Sequence, residues 1–350
     1  MSMSKKTNEY IKVSMSNHDV AFAHLAGNGA IAELEHHLCS FYGAKHALCV
    51  DSATNGLMYL LLATGLKKSE ILTTSLSFGG TIAGALTLEC SFSFADIDEA
   101  LDISPTSILE ILKKRPRIKA IIAVDFGGQP HQMLAIHNIC ENYGIWHFVD
   151  AAQSMGAEYP YDNIATLNDA MVVSFGPGKT LFAGGEGGAI ITNNTELYNR
   201  LVATCQHPHR QEKVLGIGRS HEFALNGRMH PIAAMLACDS FFTDMIDLHE
   251  RRESYNKALS VLESFNSVSS TLIHSGSTFY HCPFVVEDPW RFEKEFKYSG
   301  LELRYYYTKA SWVSLPEQLQ RIGIKRKIKD YNCSNLENII NKLYLLHLRP

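Results

Sequence analysis

A lysine in a turn of small residues is the first candidate for chemistry in this sequence. Lys179 ends the segment Gly176-Pro177-Gly178-Lys179, and a glycine-rich stretch at residues 184–188 follows. Small residues let the backbone approach a bound molecule closely. A lysine that is shielded from water can lose its proton and act as a nucleophile. The alternative is a solvated surface charge, the usual state of a lysine after a turn.

A carboxylate offers a second candidate. Asp150 follows the apolar segment 145–149, which reads as a buried strand, and Ala151-Ala152-Gln153 comes next. In open α/β sheets, ligands bind beyond the carboxyl ends of the strands, so a carboxylate there can hold a cationic ring nitrogen. A solvated loop aspartate or a helix cap is the competing interpretation.

Capping side chains offer a third candidate. The cluster at residues 52–55, Ser-Ala-Thr-Asn, lies between a predicted strand and a predicted helix. The N-terminus of a helix leaves N–H groups unpaired and suits an anion. Plain N-capping explains the same residues. Together, however, an anion cradle, a strand-end carboxylate and a lysine on a small-residue turn are the three parts of a pyridoxal-phosphate site.

The elements that must position these residues follow an α/β pattern. Short apolar runs alternate with helix-period segments, which predicts βα units and a parallel sheet. Strands are predicted at residues 47–50, 120–124, 145–149, 170–174 and 188–192, and helices at 56–66 and 132–143. The glycines at 184–188 precede a strand and are no dinucleotide fingerprint.

The pattern changes after about residue 239. An amphipathic helix is predicted at 247–265, a strand at 278–286 and a helix at 290–298. We therefore predict an N-terminal segment at 1–28, a large domain at 29–240 and a smaller C-terminal domain at 241–350.

The composition excludes several classes of protein. The 350 residues carry a net charge of −4, which argues against general binding to nucleic acids or anionic membranes. The eight cysteines are scattered without a CxxC pair, and no histidines or carboxylates fall at metal-ligand spacing. No signal peptide or membrane span is evident, so a cytoplasmic protein is expected.

Six short segments carry a resemblance to one family. They lie at residues 50–57, 77–81, 128–130, 150–153, 174–179 and 226–229. They are similar to the SGTAAL, TFxAT, GQP, DAAQ, SFxPxK and NYRM segments of the DegT/DnrJ/EryC1/StrS aminotransferases. The resemblance covers residues from about 27 to about 252, with a weaker echo to about 307. It implies the pyridoxal-phosphate transferase fold of type I, aspartate aminotransferase-like, with a mostly parallel sheet and a smaller C-terminal α+β domain.

The resemblance assigns roles around the cofactor ring. Lys179 would hold pyridoxal 5'-phosphate as a Schiff base, and Asp150 would pair with the pyridine nitrogen. Phe78 would stack on the ring, and Gln153 would contact the ring or its hydroxyl.

The resemblance also assigns the phosphate ligands. Ala53 would bind through its N–H group, and Thr54 and Ser174 through their hydroxyls. Asn226 would reach the phosphate of the neighbouring subunit, which implies a homodimer with shared active sites. Ala53 stands where the family motif has glycine, and Asn55 where it has alanine.

The implied activity is transfer of an amino group from an amino acid, with glutamate as the expected donor, to a keto sugar linked to a nucleotide. This chemistry belongs to polysaccharide or amino-sugar biosynthesis. Family members that dehydrate carry histidine in place of Lys179, so the lysine favours aminotransfer. The alternatives are transfer to a non-sugar ketone such as a cyclitol, and a regulatory or scaffold role. Residues 304–312 depart from the family's PLHxxP-like motif, which shapes the substrate end.

Overall fold

A computed structural model describes Glu9 and residues 24–217, 224–273 and 276–348. The helices α1 to α11 are Ala30–Tyr42, Ala53–Ala63, Gly80–Thr87, Pro105–Lys114, Met133–Tyr143, Thr195–Cys205, Pro208–Leu215, Pro231–Glu263, Pro289–Tyr298, Leu315–Arg321 and Ser334–Ile339. The strands β1 to β12 are His46–Val50, Glu70–Thr74, Ser91–Ala95, Ile118–Val124, Trp146–Asp150, Ala170–Ser174, Gly188–Thr192, Val268–Thr271, Cys282–Val286, Tyr305–Lys309, Ile328–Tyr331 and Leu343–Leu348.

The larger sheet contains eight strands in the order β1-β7-β6-β5-β4-β2-β3-β11. Pairing is parallel from β6 through β5, β4, β2 and β3 to β11, and only β7 runs antiparallel to its neighbours. This confirms the predicted mostly parallel sheet. The parallel strands end at one edge, so Asp150 of β5 and Ser174 of β6 come to lie on the same side of the molecule.

Both faces of this sheet are buried, as parallel sheets require. Successive residues of a strand enter opposite cores. In β6, Ala170 and Val172 pack in one core with α2, while Met171 and Val173 pack in the other with α1 and α8. The alternation explains why these strands appear as short, continuously apolar runs in the sequence.

The smaller sheet is antiparallel, with strand order β10-β12-β9-β8. It confirms the predicted smaller C-terminal α+β domain. The C-terminal chain also returns to the larger sheet, because β11 pairs in parallel with β3. Helix α8 runs through the predicted boundary between residues 240 and 241 without interruption, and that boundary stays a prediction.

Helix α8, with 33 residues, begins 16 residues before the helix predicted at 247–265. Its N-terminal half lacks a clear polar face, because Ala234, Met235, Ala237 and Phe241 are all buried in the core shared with α1. This half of the helix therefore has no amphipathic period in its sequence, and the prediction, which depended on such a period, did not include it. Among the described helices, none is both long and apolar enough to cross a membrane.

A buried ion pair fastens α1 to α7 beside the sheet. Arg210 donates from both terminal nitrogens to the Glu35 carboxylate, at 2.9 and 2.7 Å. Glu35 also accepts the backbone N–H of Cys49 at 2.8 Å, which ties the pair to β1. Arg210 is 3% exposed and Glu35 is 9% exposed.

Breaking this pair should destabilise the protein strongly. Arg210→Met leaves the Glu35 carboxylate buried without its cation, so the free energy of unfolding should fall by about 3–5 kcal/mol. Urea denaturation measures this. Arg200→Met is the matched control, because it breaks an exposed pair with Glu196 and should cost less than about 1 kcal/mol. Equal losses in the two variants would contradict the structural role of Arg210.

Candidate active site

A cavity of about 350 Å³ opens where the parallel strands end. We call it the Lys179 cavity. Its lining residues are Ser52, Ala53, Thr54, Leu57, Phe78, Gly80, Thr81, Asp150, Ala152, Gln153, Ser174, Gly176, Pro177, Lys179, Glu186, Tyr280, His281 and Trp312. These residues come from four segments at the ends of strands β1, β2, β5 and β6, from Glu186 just before β7, and from two segments of the C-terminal part of the chain.

The cavity brings together seven of the eight residues that the sequence nominates, namely Ala53, Thr54, Phe78, Asp150, Gln153, Ser174 and Lys179. The eighth, Asn226, does not line it. Asn226 has a positive φ of 58° and accepts a hydrogen bond from the Arg228 side chain at 2.9 Å. Its predicted role concerns a neighbouring subunit and stays a prediction.

One end of the cavity is built to receive an anion. Helix α2 begins at Ala53, three residues before the predicted start, and Ser52 Oγ caps it by accepting the N–H of Asn55 at 3.2 Å. The N–H groups of Ala53 and Thr54 have no intrahelical acceptor at this position. The Ser174 side chain lines the cavity at the end of β6. Two N–H groups, hydroxyls and a helix N-terminus suit a phosphate.

The start of α2 lies so close to β7 and to the start of α3 that glycine is required at one position in each. A Cβ on Gly188 would lie 2.8 Å from the backbone nitrogen of Ala53, and one on Gly80 would lie 2.9 Å from Thr54 Oγ1. Both distances are shorter than real Cβ atoms show, so side chains at either position would push on the start of α2. Gly188, the last residue of the glycine-rich segment, thus lets β7 pack directly against the start of α2.

Asp150 also lines the cavity, and its buried carboxylate would be stabilised by a cation. Its Oδ2 accepts the Thr81 hydroxyl at 2.7 Å, and its Oδ1 accepts the N–H of Ala152 at 3.2 Å. Burial raises the pKa of Asp150, and the two hydrogen bonds and the charge of Lys179 counter only part of that effect. A protonated ring nitrogen beside the carboxylate would supply the missing charge.

Gln153 is held by a tight turn. Its Oε1 accepts the N–H of Gly127 at 2.8 Å, and its backbone oxygen accepts the Thr278 hydroxyl at 2.6 Å. The neighbouring Gly128 has φ 86°, and a Cβ there would lie 1.8 Å from Thr278 Oγ1. The turn therefore needs glycine on both conformational and steric grounds.

Lys179 lines the cavity and lies against an aromatic ring. Its Nζ is 3.9 Å from the centroid of the Tyr280 ring, a cation–π distance. Phe78, which is 60% exposed, offers an aromatic face at the mouth, with the Trp312 ring 6.4 Å away. Together, these groups have the chemistry to hold a flat cationic ring that carries a phosphate and an aldehyde.

Eleven of the eighteen lining residues were not nominated as site residues, and five of these carry polar or aromatic side chains that bear most directly on function: Thr81, Glu186, Tyr280, His281 and Trp312. Thr81 and Glu186 lie inside segments that the sequence singled out, and Trp312 lies in the divergent segment 304–312. Tyr280 and His281 gave no signal, because residues 278–286 were interpreted as a strand. Only Cys282–Val286 form that strand, and the residues before it fold over the cavity.

Backbone hydrogen bonds hold the segment 278–281 against the turn at Gly127 and Gly128. The N–H of His281 donates to the oxygen of Gly127 at 3.3 Å, and the N–H of Thr278 donates to the oxygen of Gly128 at 3.0 Å. The C-terminal part of the chain is thereby held against the turn that carries Gln153. Within the described ranges, no three His, Cys, Asp or Glu side chains form a group that could hold a metal.

The sequence matches a known family over nearly all of its length. Residues 21–349 match the DegT/DnrJ/EryC1/StrS aminotransferase family. A UDP-4-amino-4,6-dideoxy-N-acetyl-beta-L-altrosamine transaminase from Campylobacter jejuni (strain 81-176) is 31% identical over 230 residues, which are 65% of this chain and 61% of that protein. The aligned region thus spans about three fifths of this relative.

Solved structures share the fold. PseC, an aminotransferase of Helicobacter pylori involved in the biosynthesis of pseudoaminic acid, superposes with a TM-score of 0.76 over 99% of this chain and 92% of its own, at 18% identity. The GDP-4-keto-6-deoxy-D-mannose-3-dehydratase of E. coli with bound hydrated PLP superposes with a TM-score of 0.79 over 100% and 94%, at 17% identity. One architecture thus occurs in proteins described as an aminotransferase and as a dehydratase.

Proposed function

Because the chain belongs to the DegT/DnrJ/EryC1/StrS aminotransferase family, we propose that it is a pyridoxal-phosphate-dependent aminotransferase. It would move an amino group from an amino acid, with glutamate as the expected donor, to a keto sugar linked to a nucleotide. One observation carries the proposal. The Lys179 cavity joins a phosphate cradle, a buried carboxylate and a lysine.

The lining residues divide the binding of the cofactor among them. Ala53, Thr54 and Ser174 would hold the phosphate, and Asp150 would hold the ring nitrogen in its protonated form. Phe78 would cover one face of the ring, and Gln153 would hold its edge. When bound, pyridoxal phosphate supplies an aldehyde that bonds to amines and a cationic ring that withdraws electrons from the adjacent carbon.

Lys179 would act twice. Its amine would anchor the aldehyde of the cofactor in the resting protein, and during the reaction the same amine would hold and move a proton. The Tyr280 ring, 3.9 Å from Nζ, stabilises the charged amine in that second role. Asp150 would hold the ring nitrogen with its negative charge, and Thr81 orients the carboxylate for this role through the 2.7 Å hydrogen bond.

Two neighbouring proposals concern the assembly. Asn226 would reach the phosphate of a second copy, so the working unit would be a homodimer with shared sites. The N-terminal segment 1–28, the large domain 29–240 and the small domain 241–350 would form one subunit. Small molecules, an amino donor and a keto acceptor, would be the partners in the reaction.

An absorbance titration tests the proposal. The protein is loaded with pyridoxal phosphate, and its spectrum is recorded before and after the addition of glutamate. We expect the visible band of the protein-bound cofactor to disappear as the amino group is transferred, while free pyridoxal phosphate without protein serves as the control. A protein that acquires no cofactor band would contradict the proposal and favour the scaffold alternative.

The acceptor is tested by running the second half of the reaction backwards. The amino sugar in the name of the Campylobacter relative and other nucleotide-linked amino sugars are offered to the loaded protein in place of glutamate. Loss of the band with at least one of them supports a nucleotide-linked acceptor. A response to amino cyclitols alone would favour the alternative acceptor.

A further inference from the structure

Basic side chains crowd one edge of the larger sheet. Strands β2, β3, β4 and β11 run in parallel, so they all begin at the edge opposite the one where the Lys179 cavity opens. Three of the segments that lead into these strands, at residues 67–69, 113–117 and 325–327, are rich in lysine and arginine. Together with two lysines at the starts of β4 and β11 they supply eleven cations, which we call the basic edge: Lys67, Lys68, Lys113, Lys114, Arg115, Arg117, Lys119, Lys325, Arg326, Lys327 and Lys329.

Direct contacts show that these segments form one surface. Glu70, the first residue of β2, accepts hydrogen bonds from two nitrogens of Arg115 at 2.8 and 2.7 Å. Glu89, which lies just before β3, accepts Lys327 Nζ on its backbone oxygen at 2.6 Å. Its carboxylate lies 3.7 Å from Lys68 Nζ. The segments before β2, β4 and β11 therefore meet around the starts of β2 and β3.

The basic edge carries a large excess of positive charge. Its eleven cations are accompanied by three carboxylates, Glu70, Glu89 and Asp330, which leaves an excess of eight positive charges in a chain whose net charge is −4. Nine of the eleven cations are exposed. Among the described residues, only Lys68 and Arg115 of the basic edge find a carboxylate to form an ion pair. Clustered charges of one sign repel each other, so the basic edge favours an anionic partner.

The composition of the basic edge favours a lipid surface over a nucleic acid. Eight of its eleven cations are lysines, which attract negative charge without the paired donors that arginine offers to a phosphate. The segments 67–69, 113–117 and 325–327 contain no aromatic residue on which a base could stack. An apolar side chain lies close by in the sequence, because Ile322, which is 64% exposed, precedes Lys325 by three residues. Lysines beside an exposed apolar side chain are typical of surfaces that bind anionic lipids.

We propose that the basic edge docks this protein on an anionic phospholipid surface, with the lysines among the headgroups and Ile322 against the apolar boundary beneath them. Such docking is independent of the aminotransferase reaction. Because the Lys179 cavity opens at the opposite edge of the sheet, a docked protein keeps that cavity accessible to small molecules. The net charge of −4 does not prevent docking, since charges more than about 10 Å from the lipid are largely screened at roughly 0.1 M salt.

Co-sedimentation with lipid vesicles tests the docking. The full chain is mixed with vesicles of phosphatidylcholine alone, or of phosphatidylcholine with about 30% phosphatidylglycerol. We expect it to sediment with the anionic vesicles only, and to be released as NaCl is raised from about 0.05 to about 0.5 M. Lys113→Gln/Lys114→Gln should weaken binding to the anionic vesicles roughly 25-fold, about fivefold for each cation removed. Ile322→Ser should weaken the binding without changing its salt dependence, which separates the apolar contact from the charge.

The matched control removes the same charge elsewhere. Lys294→Gln/Lys297→Gln changes two exposed lysines of α9, which packs on the smaller sheet, and should bind vesicles as the wild type does. Equal losses in the two double variants would overturn the docking surface, because net charge alone would then drive the binding.

Two further outcomes would also overturn it. One is a wild type that sediments no better with anionic than with neutral vesicles. The other is tighter binding to a DNA duplex than to the anionic vesicles, which would assign the basic edge to nucleic acid. The glutamate titration reports on the cofactor chemistry independently, so either proposal can fail while the other stands. Melting temperatures of the variants confirm that each is folded.

Discussion

Lys179→Ala should abolish aminotransfer. The variant loses the amine that bonds to the cofactor and the group that moves the proton, and proton transfer alone is worth about 10²–10⁴-fold. We expect the turnover rate to fall by roughly 10⁴-fold or more, measured as 2-oxo acid formed from glutamate. The phosphate cradle is untouched in this variant, so the cofactor should still bind without a covalent bond.

The control is an exposed lysine that makes the same kind of cation–π contact but does not line the cavity. Lys294 lies on α9, with its Nζ 3.4 Å from the centroid of the Trp290 ring. Lys294→Ala removes a charge and a cation–π contact and should leave turnover unchanged. Lys179→Arg separates nucleophilicity from charge, because arginine stays protonated and should be as inactive as alanine. Normal turnover by Lys179→Ala would contradict the assignment.

Asp150→Asn should depress turnover by roughly 10²–10³-fold, the usual cost of removing one pre-organised electrostatic partner. Asparagine has nearly the same shape and can still accept the hydrogen bond from Thr81, but it cannot stabilise a protonated ring nitrogen. The rate should fall while the phosphate cradle remains. Steady-state kinetics at saturating cofactor measure this loss.

The same substitution should not lower the stability of the protein at neutral pH when the cofactor is absent. Burial raises the pKa of Asp150, so the folded protein binds a proton more readily than the unfolded chain. The stability that Asp150 contributes is therefore present at low pH and is lost as the pH rises through the raised pKa. At neutral pH the ionised carboxylate carries a desolvation cost, which the uncharged amide of Asp150→Asn would remove. A melting curve of the cofactor-free protein checks this, with exposed Asp162→Asn as the control. A large drop in melting temperature for Asp150→Asn would indicate a structural role instead.

Much of the large sheet was predictable because its strands are short and buried on both faces. The strands predicted at 170–174 and 188–192 have the bounds of β6 and β7, and that at 145–149 is shifted by one residue from β5. Buried parallel strands appear as continuous apolar runs, and glycines or capping residues punctuate them. Strands β2 and β3 were not predicted, because polar residues that are buried in the fold, such as Glu70 and Ser93, interrupt their apolar runs. The Ser93 hydroxyl donates to Glu70 at 2.8 Å, a contact that no local pattern reveals.

The sequence by itself determined the cofactor half of the candidate site. Seven of the eight nominated residues end a strand, follow a strand or open a helix. Parallel strands place these positions at one edge of the sheet, regardless of their distance along the chain. Only the tertiary structure decided the other half. Tyr280, His281 and Trp312 line the Lys179 cavity because the C-terminal part of the chain packs over that edge. Such contacts depend on how the two sheets and their connecting segments pack together, and neither hydrophobic periodicity nor local residue spacing encodes that packing.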